Sequence, residues 1–177
     1  MKRARIATIW LDGCTGCHMS LLDMDAAIVA LARKIDLVYG PLVDAQEFPE
    51  GVDVTLIEGA VSSEEDLHKL QTVRQRTHIL VSMGDCAVTG NVPAMRNSVS
   101  VNSLLKRIYI EGAEPGSQIP SDGVPPLMKN ARPLREFVKV DLCLPGCPPS
   151  AKLIATTITD LLDGHKGAEA GPKARFG

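Results

Sequence analysis

A chain of 177 residues that is 45% apolar is long enough and hydrophobic enough to bury one substantial core. Its net charge of −2 removes the electrostatic case for nucleic acid or an acidic membrane surface as partner, and an aromatic content of 3% leaves little for base stacking. No run approaches the roughly 18 apolar residues of a membrane span.

The chain starts with the basic stretch Met1-Lys2-Arg3-Ala4-Arg5, and a first strand is expected at Arg5–Leu11. Asp12 cuts that apolar run short of a secretory core, and no paired arginine precedes it, so the expected location is the cytoplasm. A helix capped by Ser20 is expected to run to about Lys34, with Leu21, Leu22, Ile28, Leu31 and Ala32 at helical spacing. Strands follow at Asp36–Tyr39, closed by Gly40-Pro41, and at Val52–Ile57, ending on Glu58-Gly59. Ser62 and Glu65 have capping-box spacing, with Ser63 and Asp66 as a near match. The helix they open has an acidic first turn, Glu64-Glu65-Asp66, and ends near Arg74 and Arg76, as the helix dipole favours.

His78–Ser82 reads as a fourth strand leading into Gly84-Asp85-Cys86. From Glu111 to Arg132 the chain is rich in Gly and Pro without periodicity. An ordered loop of that length is expected to be functional or to cover an interface. A last strand is expected at Phe137–Leu142, followed by a helix capped by Ser150 to about Asp163. One domain is therefore expected over residues 1–163, with an irregular loop at about 111–133 and a frayed tail over 164–177. The β/α alternation implies an α/β, doubly wound, mostly parallel sheet with helices on both faces.

Four of the five cysteines lie in Gly/Pro loops just after apolar strands: Cys14, Cys17, Cys86 and Cys147. In a parallel sheet such positions converge on one rim, where these folds bind ligands. An odd cysteine count in a reducing compartment points to metal or redox chemistry rather than disulfides. A thioredoxin-like dithiol at Cys14-x-x-Cys17 leaves Cys86 and Cys147 idle. Cys14-Thr15-Gly16-Cys17-His18 matches a c-type haem motif literally, but that attachment belongs outside the cytoplasm. Structural zinc usually pairs two close knuckles, whereas here the second pair is split. A cubane [4Fe–4S] cluster takes four thiolates, tolerates wide separations and often has proline beside a ligand, as Pro148 is here.

Cys143, at the end of the last strand, is expected to be a small buried hydrophobe. Glu58 shares the rim, either as a strand-end carboxylate or as a polar or proton-handling neighbour of the cluster. His18 reads as an exposed loop residue, inert or donating to a partner. Asp12 and Asp85 read as turn residues flanking the cysteine loops.

The motifs Asp12-Gly13-Cys14-Thr15-Gly16-Cys17-His18, Ile57-Glu58-Gly59, Gly84-Asp85-Cys86-Ala87 and Pro145-Gly146-Cys147-Pro148-Pro149, in this order, resemble the small subunit of a [NiFe] hydrogenase. The resemblance covers that family's N-terminal flavodoxin-like domain, nearly the whole chain. It implies that Cys14, Cys17, Cys86 and Cys147 hold one proximal [4Fe–4S] cluster facing a Ni–Fe centre on a separate large subunit. It also implies that Glu58 lies close to the cluster.

No cysteine follows Cys147, and in this the chain is similar to the short small subunits of soluble, bidirectional NAD(P)-linked hydrogenases. Those pass electrons to diaphorase subunits carrying flavin and further Fe–S clusters, so that reversible H₂ oxidation is coupled to NAD(P)⁺ reduction. The homologous cluster subunit of respiratory complex I shares the domain but typically has two adjacent cysteines in place of Cys14-x-x-Cys17. A non-catalytic Fe–S scaffold subunit is the alternative from another class. No dinucleotide fingerprint appears in the chain, and no residue demands a flavin on it.

Overall fold

A computed structural model of the protein describes residues 3–164. The chain runs β1 (Ala4–Trp10), α1 (Gly16–Leu22), α2 (Ala26–Ala32), β2 (Ile35–Tyr39), β3 (Val52–Glu58), β4 (Val61–Ser63) and α3 (Glu64–Arg76). It continues with β5 (Thr77–Met83), α4 (Asp85–Thr89), α5 (Asn91–Ala94), α6 (Val101–Lys106), β6 (Leu127–Arg132), β7 (Leu142–Leu144) and α7 (Ala151–Leu162). Five strands form one parallel sheet in the order β2-β1-β3-β5-β7, and β4 pairs with β6 in a separate antiparallel ribbon.

The central strands β3 and β5 are largely buried on both faces, as in parallel sheets covered by helices. Alternate side chains feed two cores. Ala7, Ile9, Leu11, Ile57 and Leu80 pack with Leu70 and Val73 of α3 on one face. Ile6, Val54, Leu56, Val81 and Met83 pack with Ile154 and Ile158 of α7 on the other. The strand order reverses between β1 and β3, so the loops leaving β1, β3, β5 and β7 open on a single rim at the switch point.

Several elements depart from the sequence expectation. Ser20 does not cap a helix: α1 starts at Gly16 after Thr15 in a left-handed turn, and Ser20 is buried, donating to the Pro149 carbonyl at 2.6 Å. The expected single helix breaks at Asp25, whose φ is 48°, where Met24 turns into the core. The capping box forms one residue later than Ser62/Glu65. Ser63 Oγ accepts from the Asp66 amide at 3.1 Å, and the Asp66 carboxylate accepts from the Ser63 amide at 2.9 Å. Such a cap is worth about 1 kcal/mol.

The last strand is not Phe137–Leu142. The amides of Phe137 and Val138 both fold back to the Leu134 carbonyl, at 3.0 and 3.1 Å, so that apolar run packs on the core as a turn. Pairing with β5 begins only at Leu142. The stretch from 111 to 132 is also not irregular throughout, since Leu127–Arg132 forms β6. Asn97 brackets Ala131 of that strand with two hydrogen bonds of 2.8 Å. The expected frayed tail lies, from residue 165 on, outside the described residues. Among the described residues no helix is long and apolar enough to cross a membrane.

Candidate functional site

At the rim, Cys14, Cys17, Cys86 and Cys147 line one cavity of about 60 Å³, together with Gly13, Gly16, Glu58, Gly59, Asp85, Gly146 and Pro148. That volume is several times what a single water needs. Each cysteine arrives from a different local device. Cys14 lies in the loop after β1, and Cys17 on the first turn of α1. Cys86 lies on the first turn of α4, directly after β5, and Cys147 in the turn between β7 and α7.

Close approach needs glycine. A Cβ on Gly84, whose φ is +85°, would stand 2.2 Å from Cys17 Sγ, and one on Gly59, whose φ is +87°, would stand 2.6 Å from the Leu11 backbone. Two loops are further tied together. The Gly84 amide donates to the Leu144 carbonyl at 2.8 Å, the Asp85 amide donates to the Gly146 carbonyl, and the Gly146 amide donates to the Asp85 carboxylate.

Glu58, the last residue of β3, is 2% exposed and lines the cavity. Its Oε2 accepts from the His18 amide at 3.1 Å, and its charge lies beside the Cys17 thiol. His18 is not an exposed loop residue. It lies on α1, 5% exposed, with ring Nδ1 2.9 Å from Glu58 Oε1. The ring N–H is not directed along that line, and Nδ1, Nε2 and Oε1 make no hydrogen bond.

Burial pushes the Cys17 thiol far above its usual range, and the charge and hydrogen bond of Glu58 and the neighbouring Cys86 and Cys14 push the same way. Burial also raises Cys86, opposed by a hydrogen bond from the Val92 amide and assisted by Cys14, Cys147 and Asp12. Without positive charge among the sulfurs, burial therefore keeps the Cys17 and Cys86 thiols protonated. Among the described residues no three Cys, His, Asp or Glu side chains converge as ligands of a single metal ion. The sulfurs are instead distributed around a cavity. Such a donor set fits a multi-iron cluster with separate corners better than one tetrahedral zinc.

Cys143, expected in the core, is exposed. It lies on β7, the edge strand, where it pairs with Ser82 of β5 on the face opposite the buried Leu144. Sequence reasoning also passed over Asn91, whose amide Nδ2 reaches Cys147 Sγ at 3.5 Å. The only local signal was the dipeptide Gly90-Asn91, a turn marker.

Residues 14–161 match the family described as NADH ubiquinone oxidoreductase, 20 Kd subunit. Among curated relatives, the delta chain of the NAD-reducing hydrogenase HoxS of Cupriavidus necator is 38% identical over 168 residues, covering 92% of this chain and 80% of the relative. A chain of the F420-non-reducing hydrogenase of Methanocaldococcus jannaschii is 38% identical over 164 residues, covering 92% of this chain. There the match spans 57% of the relative's length. Among solved structures, a chain of an NAD⁺-reducing [NiFe]-hydrogenase in the H₂-reduced state superimposes with a TM-score of 0.94 at 40% identity, covering 99% of this chain and 100% of that one. The chain therefore belongs to the NADH ubiquinone oxidoreductase 20 Kd subunit family, and within it to the small subunits of hydrogenases.

Proposed function

We propose that this chain is the electron-transfer subunit of an NAD(P)-linked [NiFe] hydrogenase, with Cys14, Cys17, Cys86 and Cys147 holding one proximal [4Fe–4S] cluster. The carrying observation is that four cysteines from distant segments line one cavity in a member of this family. When bound, the cluster supplies one-electron transfer between a Ni–Fe centre on the large subunit and diaphorase subunits that reduce NAD(P)⁺. The chain's own residues hold and tune. The four sulfurs ligate, the glycine backbones allow close approach, and Glu58 adds buried negative charge beside Cys17.

No residue of this chain is assigned a role in making or breaking H₂. The rim is also suited to a protein partner. Trp10, Met19, Val92 and Met95 stand exposed on the segments that carry or adjoin the cysteines. Exposed apolar side chains beside a ligand site favour coverage by a partner. The spacing Cys14-x-x-Cys17 favours a hydrogenase over the complex I subunit, in which adjacent cysteines are typical.

The test is metal and sulfide analysis of the anaerobically purified complex, with co-purifying chains identified. Four irons and four sulfides attributable to this subunit are expected, together with a nickel-bearing partner. Serine at any one of the four cysteine positions should remove the cluster signal or reduce it to a three-iron form. Zinc in place of iron, or full electron transfer without the four cysteines, overturns the reading.

A further inference from the structure

The segment Gly90-Asn91-Val92 lies between the two distant cysteine loops and addresses both. Gly90 has φ 93° and Asn91 has φ 29°, so two successive residues take positive φ. The Gly90 amide donates to the Cys86 carbonyl at 3.0 Å, and the Asn91 side-chain amide donates to Cys147 Sγ at 3.5 Å.

A non-glycine residue at positive φ costs about 1–2 kcal/mol, and asparagine is among the few that tolerate it. Glycine would satisfy the backbone at position 91 more cheaply. What asparagine adds there is its amide, and that amide is spent on a cysteine sulfur.

We propose that Asn91 is a positioning residue for the electron-transfer site, whose amide donates to Cys147 Sγ and raises the reduction potential of the group the cysteines hold. This rests on the reading of the four cysteines as cluster ligands. An N–H donor to a ligand sulfur withdraws electron density and stabilises the reduced, more negative state. Glu58 acts in the opposite sense from the other side of the cavity, through its negative charge beside Cys17. The potential is then set by a donor on Cys147 and a carboxylate by Cys17.

The experiment is a redox titration, followed by electron paramagnetic resonance, of the anaerobic complex with Asn91→Gly, Asn91→Ala and Asn91→Asp. Asn91→Gly keeps the backbone conformation and loses only the amide, so it separates donation from strain. The expected result is full iron content in every variant and an unchanged melting temperature for Asn91→Gly. The midpoint should fall in the Gly and Ala variants and fall further in Asn91→Asp, where a carboxylate replaces the donor. An unmoved midpoint with full iron overturns this inference alone. Iron loss in Asn91→Gly makes the residue a structural brace and overturns it too. A parent complex without a reducible cluster overturns the reading of the cysteines, and this inference with it.

Discussion

Asp85 and Gly146 clasp each other. The Asp85 amide donates to the Gly146 carbonyl at 2.9 Å, and the Gly146 amide donates to Asp85 Oδ1 at 2.7 Å. Sixty-one residues separate them, yet each is the immediate neighbour of a cavity cysteine. The clasp therefore sets the spacing between the Cys86 and Cys147 loops. Asp85→Ala leaves the Gly146 amide without its acceptor, at a cost of about 1–3 kcal/mol. It should lower iron content measurably, whereas Asp85→Asn, which retains Oδ1, should hold most of it. Equal iron in the alanine variant and the parent would show that the loops keep their spacing without the clasp.

Gly84→Ala is expected to be far more damaging than an ordinary loop substitution. The new methyl group would stand 2.2 Å from Cys17 Sγ, on a residue whose φ of +85° already excludes most side chains. Either Cys17 or the β5–α4 turn has to move. Iron analysis should find the cluster lost or incomplete, and a variant with four irons would contradict the packing described.

Glu58→Gln should keep the cluster and raise its potential. The side chain is 2% exposed and lies beside Cys17, so its charge acts with little water between. At an effective dielectric near 20, a unit charge a few ångströms away is worth roughly 2–4 kcal/mol. Redox titration of variant against parent measures the shift. A midpoint that stays put makes Glu58 a structural partner of His18 only.

Cys143→Ala should be nearly silent. The thiol is exposed on the outer face of an edge strand and does not line the cavity. Iron content should match the parent, and stability should change by no more than about 0.5 kcal/mol. Loss of iron here, with retention in Cys147→Ala, would reverse the ligand assignment.

Asp141 predicts an acid-dependent loss of stability. Burial alone would raise its carboxyl, but the Leu80 amide, the Arg74 guanidinium and Lys139 outweigh this and hold it below the ordinary carboxylate value. The folded state thus binds fewer protons than the unfolded one. The stabilisation is complete above the unfolded-state value near 4 and is lost as pH falls through the lower folded-state value. Urea midpoints of parent and Asp141→Asn should differ most at neutral pH and converge on acidification. A gap that does not change with pH would rule out the carboxylate charge as its source.

Much of the fold was legible because it is written locally. The runs Ile6–Leu11, Val52–Ile57 and Ile79–Ser82 are β-branched and apolar, each ends in a glycine-bearing turn, and helical spacing follows. That alternation alone implies a parallel sheet and places the four loop cysteines at one rim. Long-range contacts decided the rest.

The sequence 137–142 looks like a strand, but its apolar side chains are satisfied by packing in a turn, and pairing waits for Leu142. β6 has no strand signature of its own and exists through Asn97 and β4. His18 is buried beside Glu58, forty residues away, whose carboxylate accepts from its amide. Cys143 is exposed because β7 is the edge strand, a fact of strand order rather than of residue type. Periodicity and turn chemistry report on neighbours within a few positions, and they identified the elements and the cysteines. Which polar groups meet across the cavity depends on how the loops are clasped, and only the tertiary structure determines that.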